Sequence, residues 1–147
     1  MGNPDSAILI VDDNPDDRLL IRRALEASHV ANEIAMAHDG EEALEFIFAK
    51  GKYASRDAAA LPRVILLDLR MPKIDGFQVL KELRSHEQTR SIPVVVLTSS
   101  DEERDMVESY RFGANSYVRK PVKFNEFATA VKDLGLYWML LNQTPKT

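Results

Sequence analysis

Short apolar runs, too brief to be helices, recur along this chain and alternate with longer amphipathic stretches. Ile8-Leu9-Ile10-Val11, Val64-Ile65-Leu66-Leu67 and Pro93-Val94-Val95-Val96-Leu97 are continuously apolar. Strands read this way when both faces of their sheet are covered. Weaker strands fit Glu33 to Ala37 and Ser116-Tyr117-Val118. Between them, Asn14 and Pro15 suit the N-cap and first position of a helix with Ile21, Ala24 and Leu25 on one stripe. Asp39 and Glu42 read as a capping box ahead of Ala43, Leu44, Ile47 and Phe48. Asp75-Gly76 leads into a helix with Phe77, Leu80 and Leu83. Ser100 and Glu103 read as another capping box, before a stripe of Met106, Val107 and Tyr110 that Gly113 ends. A last helix runs to about Leu141. Lys50 to Arg63 holds no steady period and reads as a long loop with at most one helical turn.

Five β-α units in series predict an α/β fold, a doubly wound five-stranded parallel sheet with helices on both faces. The length of 147 residues fits one domain, 1–147, with a core over about 6–134 and a helical extension over 135–147. The charge is −4 and there is no cysteine. An acidic chain is a poor match for nucleic acid. Disulfides, thiolate metal sites and cysteine nucleophiles are excluded. With no signal peptide and no apolar run long enough to span a bilayer, a cytoplasmic protein is expected.

Ligands of such sheets bind at the carboxyl ends of the strands. Strand one ends in Asp12 and Asp13, strand three in Asp68, strand four in Thr98 and Ser99, and strand five near Lys120-Pro121. With strand order 2-1-3-4-5, three carboxylates, a hydroxyl and an ammonium converge on one cleft. Carboxylates this close need a cation between them. An all-oxygen set suits Mg²⁺, and Mg²⁺ beside a carboxylate, a hydroxyl and a lysine is equipment for phosphoryl transfer. Asp68 is central and is the natural nucleophile. Taken alone, Asp13 would be an ordinary helix cap or solvated loop residue.

These segments resemble the receiver domain of two-component response regulators, a flavodoxin-like fold. The matching stretches are Ile10-Val11-Asp12-Asp13-Asn14, Asp68-Leu69-Arg70-Met71-Pro72-Lys73-Ile74-Asp75-Gly76, Val96-Leu97-Thr98-Ser99 and Tyr117-Val118-Arg119-Lys120-Pro121. The resemblance implies that Asp68 accepts a phosphoryl group from a sensor histidine kinase or a histidine phosphotransfer protein. It implies that Asp12, Asp13 and Asp68 hold Mg²⁺ with the Arg70 carbonyl. It also implies that Thr98 and Lys120 bind the transferred phosphate, and that Pro121 follows a cis bond. Thr98 and Tyr117 would form the switch that remodels the face of helix four, strand five and helix five. Such a protein catalyses its own phosphorylation and dephosphorylation and turns over no outside substrate. A haloacid-dehalogenase-type phosphatase would need a second aspartate where Arg70 stands. An interaction-only degenerate receiver would not keep all five core positions.

Arg70 and Ser100 are expected to overlook the path of the hydrolytic water and to set phosphate lifetime. Otherwise Arg70 is a solvated charge. Arg18, Arg22 and Arg23 read by default as a solvated face, with a kinase-docking edge as the alternative because helix one borders the active site in the family resembled, and His29, His38 and His86 lack metal-ligand spacing. Phe124, Phe127, Val131, Leu134, Trp138 and Leu141 follow a heptad seam. With Tyr137 beside them, the last turns are apolar nearly all round, which predicts a homodimer through the terminal helix and the helix-four, strand-five, helix-five face. The rival arrangement folds the tail onto its own domain. The 50–63 loop and the aromatic extension together resemble stand-alone receivers that work with cyanobacterial and bacterial phytochromes. That likeness implies a phytochrome-type kinase as donor.

Overall fold

A computed structural model describes residues 7–27, 32–99 and 102–120. The elements are β1 (Ile8–Val11), α1 (Pro15–Ala27), β2 (Ile34–Ala37), α2 (Gly40–Phe48), a 3₁₀ turn (Gly51–Tyr53), β3 (Val64–Leu67), α3 (Gly76–Ser85), β4 (Val94–Thr98), α4 (Glu103–Arg111) and β5 (Ser116–Arg119). The strands form one parallel sheet in the order β2-β1-β3-β4-β5, as expected. Pro121, Phe127, Val131, Leu134, Tyr137, Trp138 and Leu141 lie outside the described residues, as do Ser100 and His29.

Alternation along the central strands separates two cores. Leu9, Val11, Ile65, Leu67, Val94 and Val96 face α2 and α3, where Ala43, Ile47, Val79, Leu80 and Leu83 close the layer. Ile8, Ile10, Leu66, Val95 and Leu97 face the other way, against Ile21 and Leu25 of α1. At roughly 1.5–3 kcal/mol for each fully buried aliphatic side chain, these two layers dominate the stability of the fold.

The helix starts follow local chemistry. The Asn14 Oδ1 accepts from the backbone N–H of Asp16 (2.9 Å) and Asp17 (3.2 Å), so Asn14 caps α1 as its sequence suggests. Asp75 and Gln78 complete a reciprocal capping box on α3. At α2 the box is altered. Asp39 accepts from the Glu42 N–H at 2.8 Å, but the Glu42 carboxylate turns back to the His38 N–H at 2.8 Å. That carboxylate also accepts from Tyr53 Oη (2.7 Å), pairs with Lys52 (2.5 Å) and contacts the His38 ring. Glu42 therefore ties the 50–63 loop to α2. Arg56 reinforces the tie, stacking over Phe46 and donating to the Phe46 and Ala60 carbonyls.

Helix α4 departs from expectation in two ways. It begins at Glu103 with Glu102 in the cap position, whose side chain makes no capping bond, while Ser100, the expected cap, lies outside the described residues. The Glu102 carboxylate is engaged by Arg104, and the first turn closes when Asp105 and Met106 donate to the Glu102 carbonyl. The stripe of Met106, Val107 and Tyr110 points outward, with exposures of 38%, 54% and 48%. The inward residues are Asp105 and Ser109. The period was readable, but the buried face is the polar one, because Asp105 finds a cation there and Ser109 Oγ donates to the Asp105 carbonyl at 2.7 Å.

Candidate functional site

The sheet ladder continues one residue past the strands and sets the site. Asp12 donates its N–H to the Ala37 carbonyl (3.1 Å), Asp68 to Val11 (2.9 Å), and Lys120 to Thr98 (2.8 Å). These backbone bonds fix three candidate site residues at the ends of rigid strands. Thr98 is itself the last residue of β4 and is fully buried. Parallel register brings their side chains to one edge without help from any flexible loop.

Asp12 and Asp68 are buried and Asp13 is exposed at the rim. The ligand oxygens of Asp12, Asp13 and Asp68 all lie within 4.8 Å of one another. The Lys120 ammonium reaches in, 2.5 Å from Asp12, 2.9 Å from Asp17 and 3.3 Å from Asp68. Burial alone would push Lys120 down, but its bonds to Asp12 and Asp17 and the charges of Asp68 and Asp12 hold it above its ordinary value. Burial raises Asp12, and Asp68 adds to the rise. Lys120 and the Asn14 N–H, which donates at 2.9 Å, oppose it. Desolvated acid groups of this kind, drawn together around one cation, form a ready receptacle for a second, divalent one.

The β3–α3 connection shapes the Asp68 side of the cleft. Gly76 opens α3 directly against the Asp68 backbone, and a Cβ there would overlap the Asp68 carbonyl. This close approach accounts for the Asp75-Gly76 pair in the sequence. Gly76 donates to the Leu69 carbonyl at 3.0 Å, and Lys73 sits in the left-handed region at φ 64°. The Arg70 guanidinium leaves the cleft and pairs with Asp105 of α4, so it is not the freely solvated charge that was its alternative reading. Tyr117 is half-buried on β5, next to β4, with Thr98 two rungs further along the β4–β5 ladder.

Two contributors were missed in the sequence. Asp17 stands in the acidic first turn of α1 with no role assigned from the sequence, yet it is a direct partner of Lys120. Arg18 was read as part of a solvated face, yet its Nη1 donates to the Asp12 carbonyl at 2.6 Å. Their distance from Asp12 and Asp13, one turn of helix α1 folding back over the strand end, was the available signal.

A five-stranded parallel sheet with a buried carboxylate cleft at the edge where its strand order reverses defines a doubly wound α/β switch-point protein. The response regulator receiver domain model matches residues 8–132, and the chain belongs to that family. It is 38% identical to the Probable methanogenesis regulatory protein FilR2 of Methanothrix harundinacea over 94% of this chain and 86% of that one. It is 34% identical to the response regulator Rcp1 of Synechocystis sp., over 94% and 92%. The solved bacteriophytochrome response regulator AtBRR is 48% identical with a TM-score of 0.81, covering 94% of this chain and 98% of that one. The Mn²⁺-bound form of Rcp1 superposes at 0.77 with 33% identity (96% and 99%). The phosphorylated cyanobacterial phytochrome response regulator RcpA gives 0.77 with 37% (91% and 94%). The chain is thus a receiver of two-component signalling related to phytochrome response regulators, and its family implies a sensor histidine kinase or phosphotransfer partner. Among the described residues no helix is long and apolar enough to cross a membrane.

Proposed function

We propose that this chain is an Mg²⁺-dependent phosphoacceptor whose acceptor is Asp68, charged by a phytochrome-type histidine kinase or by a histidine phosphotransfer protein. The observation that carries this reading is the Lys120 ammonium seated among Asp12, Asp17 and Asp68 at one sheet edge. An Asp68 oxygen attacks the phosphorus of a phosphohistidine. The P–N bond breaks, the imidazole leaves with its electron pair, and an acyl phosphate remains. Lys120 and the Thr98 hydroxyl then hold phosphoryl oxygens. Water later cleaves the acyl phosphate and returns the carboxylate and inorganic phosphate.

Asp12, Asp13 and Asp68, with the Arg70 carbonyl, would hold the Mg²⁺. Their all-oxygen donor set and close spacing fit a hard cation that retains water and phosphate ligands. When bound, the ion neutralises charge on the phosphoryl oxygens. Movement of Thr98 toward the phosphate lets Tyr117 turn into the vacated space. The outward Met106, Val107 and Tyr110 of α4 then change their presentation. The signal leaves through that face. Self-association through Phe127, Val131, Leu134, Tyr137, Trp138 and Leu141 belongs to the same proposal, over a receiver core of 6–134 with a helical extension. Light scattering of the full chain against one ending after Gly135 tests it, and an unchanged mass would remove it.

The decisive experiment is phosphorylation with a small phosphodonor and Mg²⁺. The expected adduct is hydroxylamine-labile and missing from Asp68→Asn. An adduct that persists in Asp68→Asn overturns the assignment.

A further inference from the structure

Among the described residues, Asp17 is the one Lys120 partner without a place in the chemistry above. It stands in the first turn of α1, about a third exposed, while Lys120, Asp12 and Asp68 are almost wholly enclosed. Its carboxylate is closer to the ammonium than that of Asp68, at 2.9 Å against 3.3 Å. The backbone of Asp17 is fixed by Asn14, and the same turn carries Arg18, clamped to the Asp12 carbonyl. Asp17 is therefore held in place to compete with Asp68 for a single ammonium.

That competition has a consequence for Asp68. A lysine closed fully onto Asp68 would occupy the oxygens a divalent cation and a phosphoryl group require, and would blunt the carboxylate as a nucleophile. We propose that Asp17 is a positioning residue that holds the Lys120 ammonium on the α1 side of the cleft and keeps Asp68 open to a divalent cation and to a phosphoryl group. The inference rests on the phosphoacceptor reading of the cleft, and it assigns Asp17 a role through Lys120 rather than as a metal ligand.

The test is Mn²⁺ binding, followed by the electron paramagnetic resonance signal of the free ion, with no phosphodonor present. Asp17→Asn should weaken Mn²⁺ binding roughly three- to tenfold, the size expected when one member of a partly buried charge network is removed. Asp17→Glu should recover most of the loss. Asp16→Asn removes the same charge from the same turn and should have little effect, since Asp16 does not contact Lys120. In a Lys120→Met background the effect of Asp17→Asn should fall by at least half, because the lysine through which it acts is gone. The proposal is overturned if Asp17→Asn binds Mn²⁺ like the unsubstituted protein, if Asp16→Asn weakens binding equally, or if the loss is undiminished in Lys120→Met. Should the unsubstituted protein bind no Mn²⁺, the metal-dependent reading and this one fall together. If it binds and Asp17→Asn is silent, only this one does.

Discussion

The Arg70 guanidinium is paired with the buried carboxylate of Asp105, joining the loop that follows Asp68 to helix α4. Two residues from Asp68, the proposed acceptor, the chain thus has a mechanical link to the helix whose outer face is apolar. The Arg70 side chain is more than half exposed, so solvent screens the pair, and the main cost of breaking it is a poorly compensated carboxylate.

Arg70→Ala should therefore destabilise the protein by about 1 kcal/mol. Amide exchange should rise in α4 and stay unchanged in α2. Equal α4 exchange in Arg70→Ala and the unsubstituted protein would remove the link. The same substitution, like Ser100→Ala, should alter the lifetime of the Asp68 adduct, and unchanged lifetimes in both would remove that role.

Lys120→Met leaves Asp12, Asp17 and Asp68 facing one another without their shared ammonium. With chelator present, the melting temperature should fall by several degrees, corresponding to about 1–3 kcal/mol of uncompensated repulsion and desolvation. Added Mg²⁺ should restore more stability to this variant than to the unsubstituted protein. Adduct formation should fall steeply. A chelated variant as stable as its parent would show that the lysine does not neutralise the cleft.

Glu42 is held down to about 2 from an ordinary 4.5. Burial opposes the shift, but Lys52, the His38 N–H, Tyr53 and the His38 ring outweigh it. Its carboxylate is favoured in the folded state, so its contribution is complete above about pH 4.5 and is lost as the pH falls toward 2. This amounts to on the order of 2–3 kcal/mol. Urea unfolding at pH 6 and pH 3 should show that drop. Glu42→Gln should be less stable at pH 6 and should lose much of the pH dependence. Parallel curves for the two proteins would show that another group carries it.

Gly76→Ala would place a methyl group against the Asp68 carbonyl. The start of α3 has to move, at a cost of about 1–3 kcal/mol typical of overpacking, and the displacement falls on Asp68, the proposed acceptor. Adduct formation should drop more than stability alone would account for at 25 °C. Full activity in a folded Gly76→Ala protein would show that the loop has slack.

The sheet was legible because its central strands are buried on both faces, and continuous runs such as Ile8 to Val11 and Val64 to Leu67 have few other homes. The residues just beyond those runs, Asp12, Asp68 and Thr98, could be placed for the same reason, since parallel register carries them to one edge. Helix α4 was misread because spacing reports a period without saying which face turns inward. Asp105 and Ser109 are buried there, Asp105 beside Arg70 of a distant loop and Ser109 against the Asp105 carbonyl. The reach of Glu42 to Lys52 and Tyr53 was equally hidden, since it depends on how the 50–63 loop folds back.

What the sequence by itself determined is the alternation of strand and helix and the identity of the acidic strand ends, because burial and capping are written locally in residue type and period. Only the tertiary structure decided which charges share a partner. Lys120, expected beside Asp12 and Asp68, also meets Asp17 across more than a hundred residues of chain, and Arg70 meets Asp105 across thirty-five. Such pairings follow from the packing of whole elements, and no local pattern encodes them.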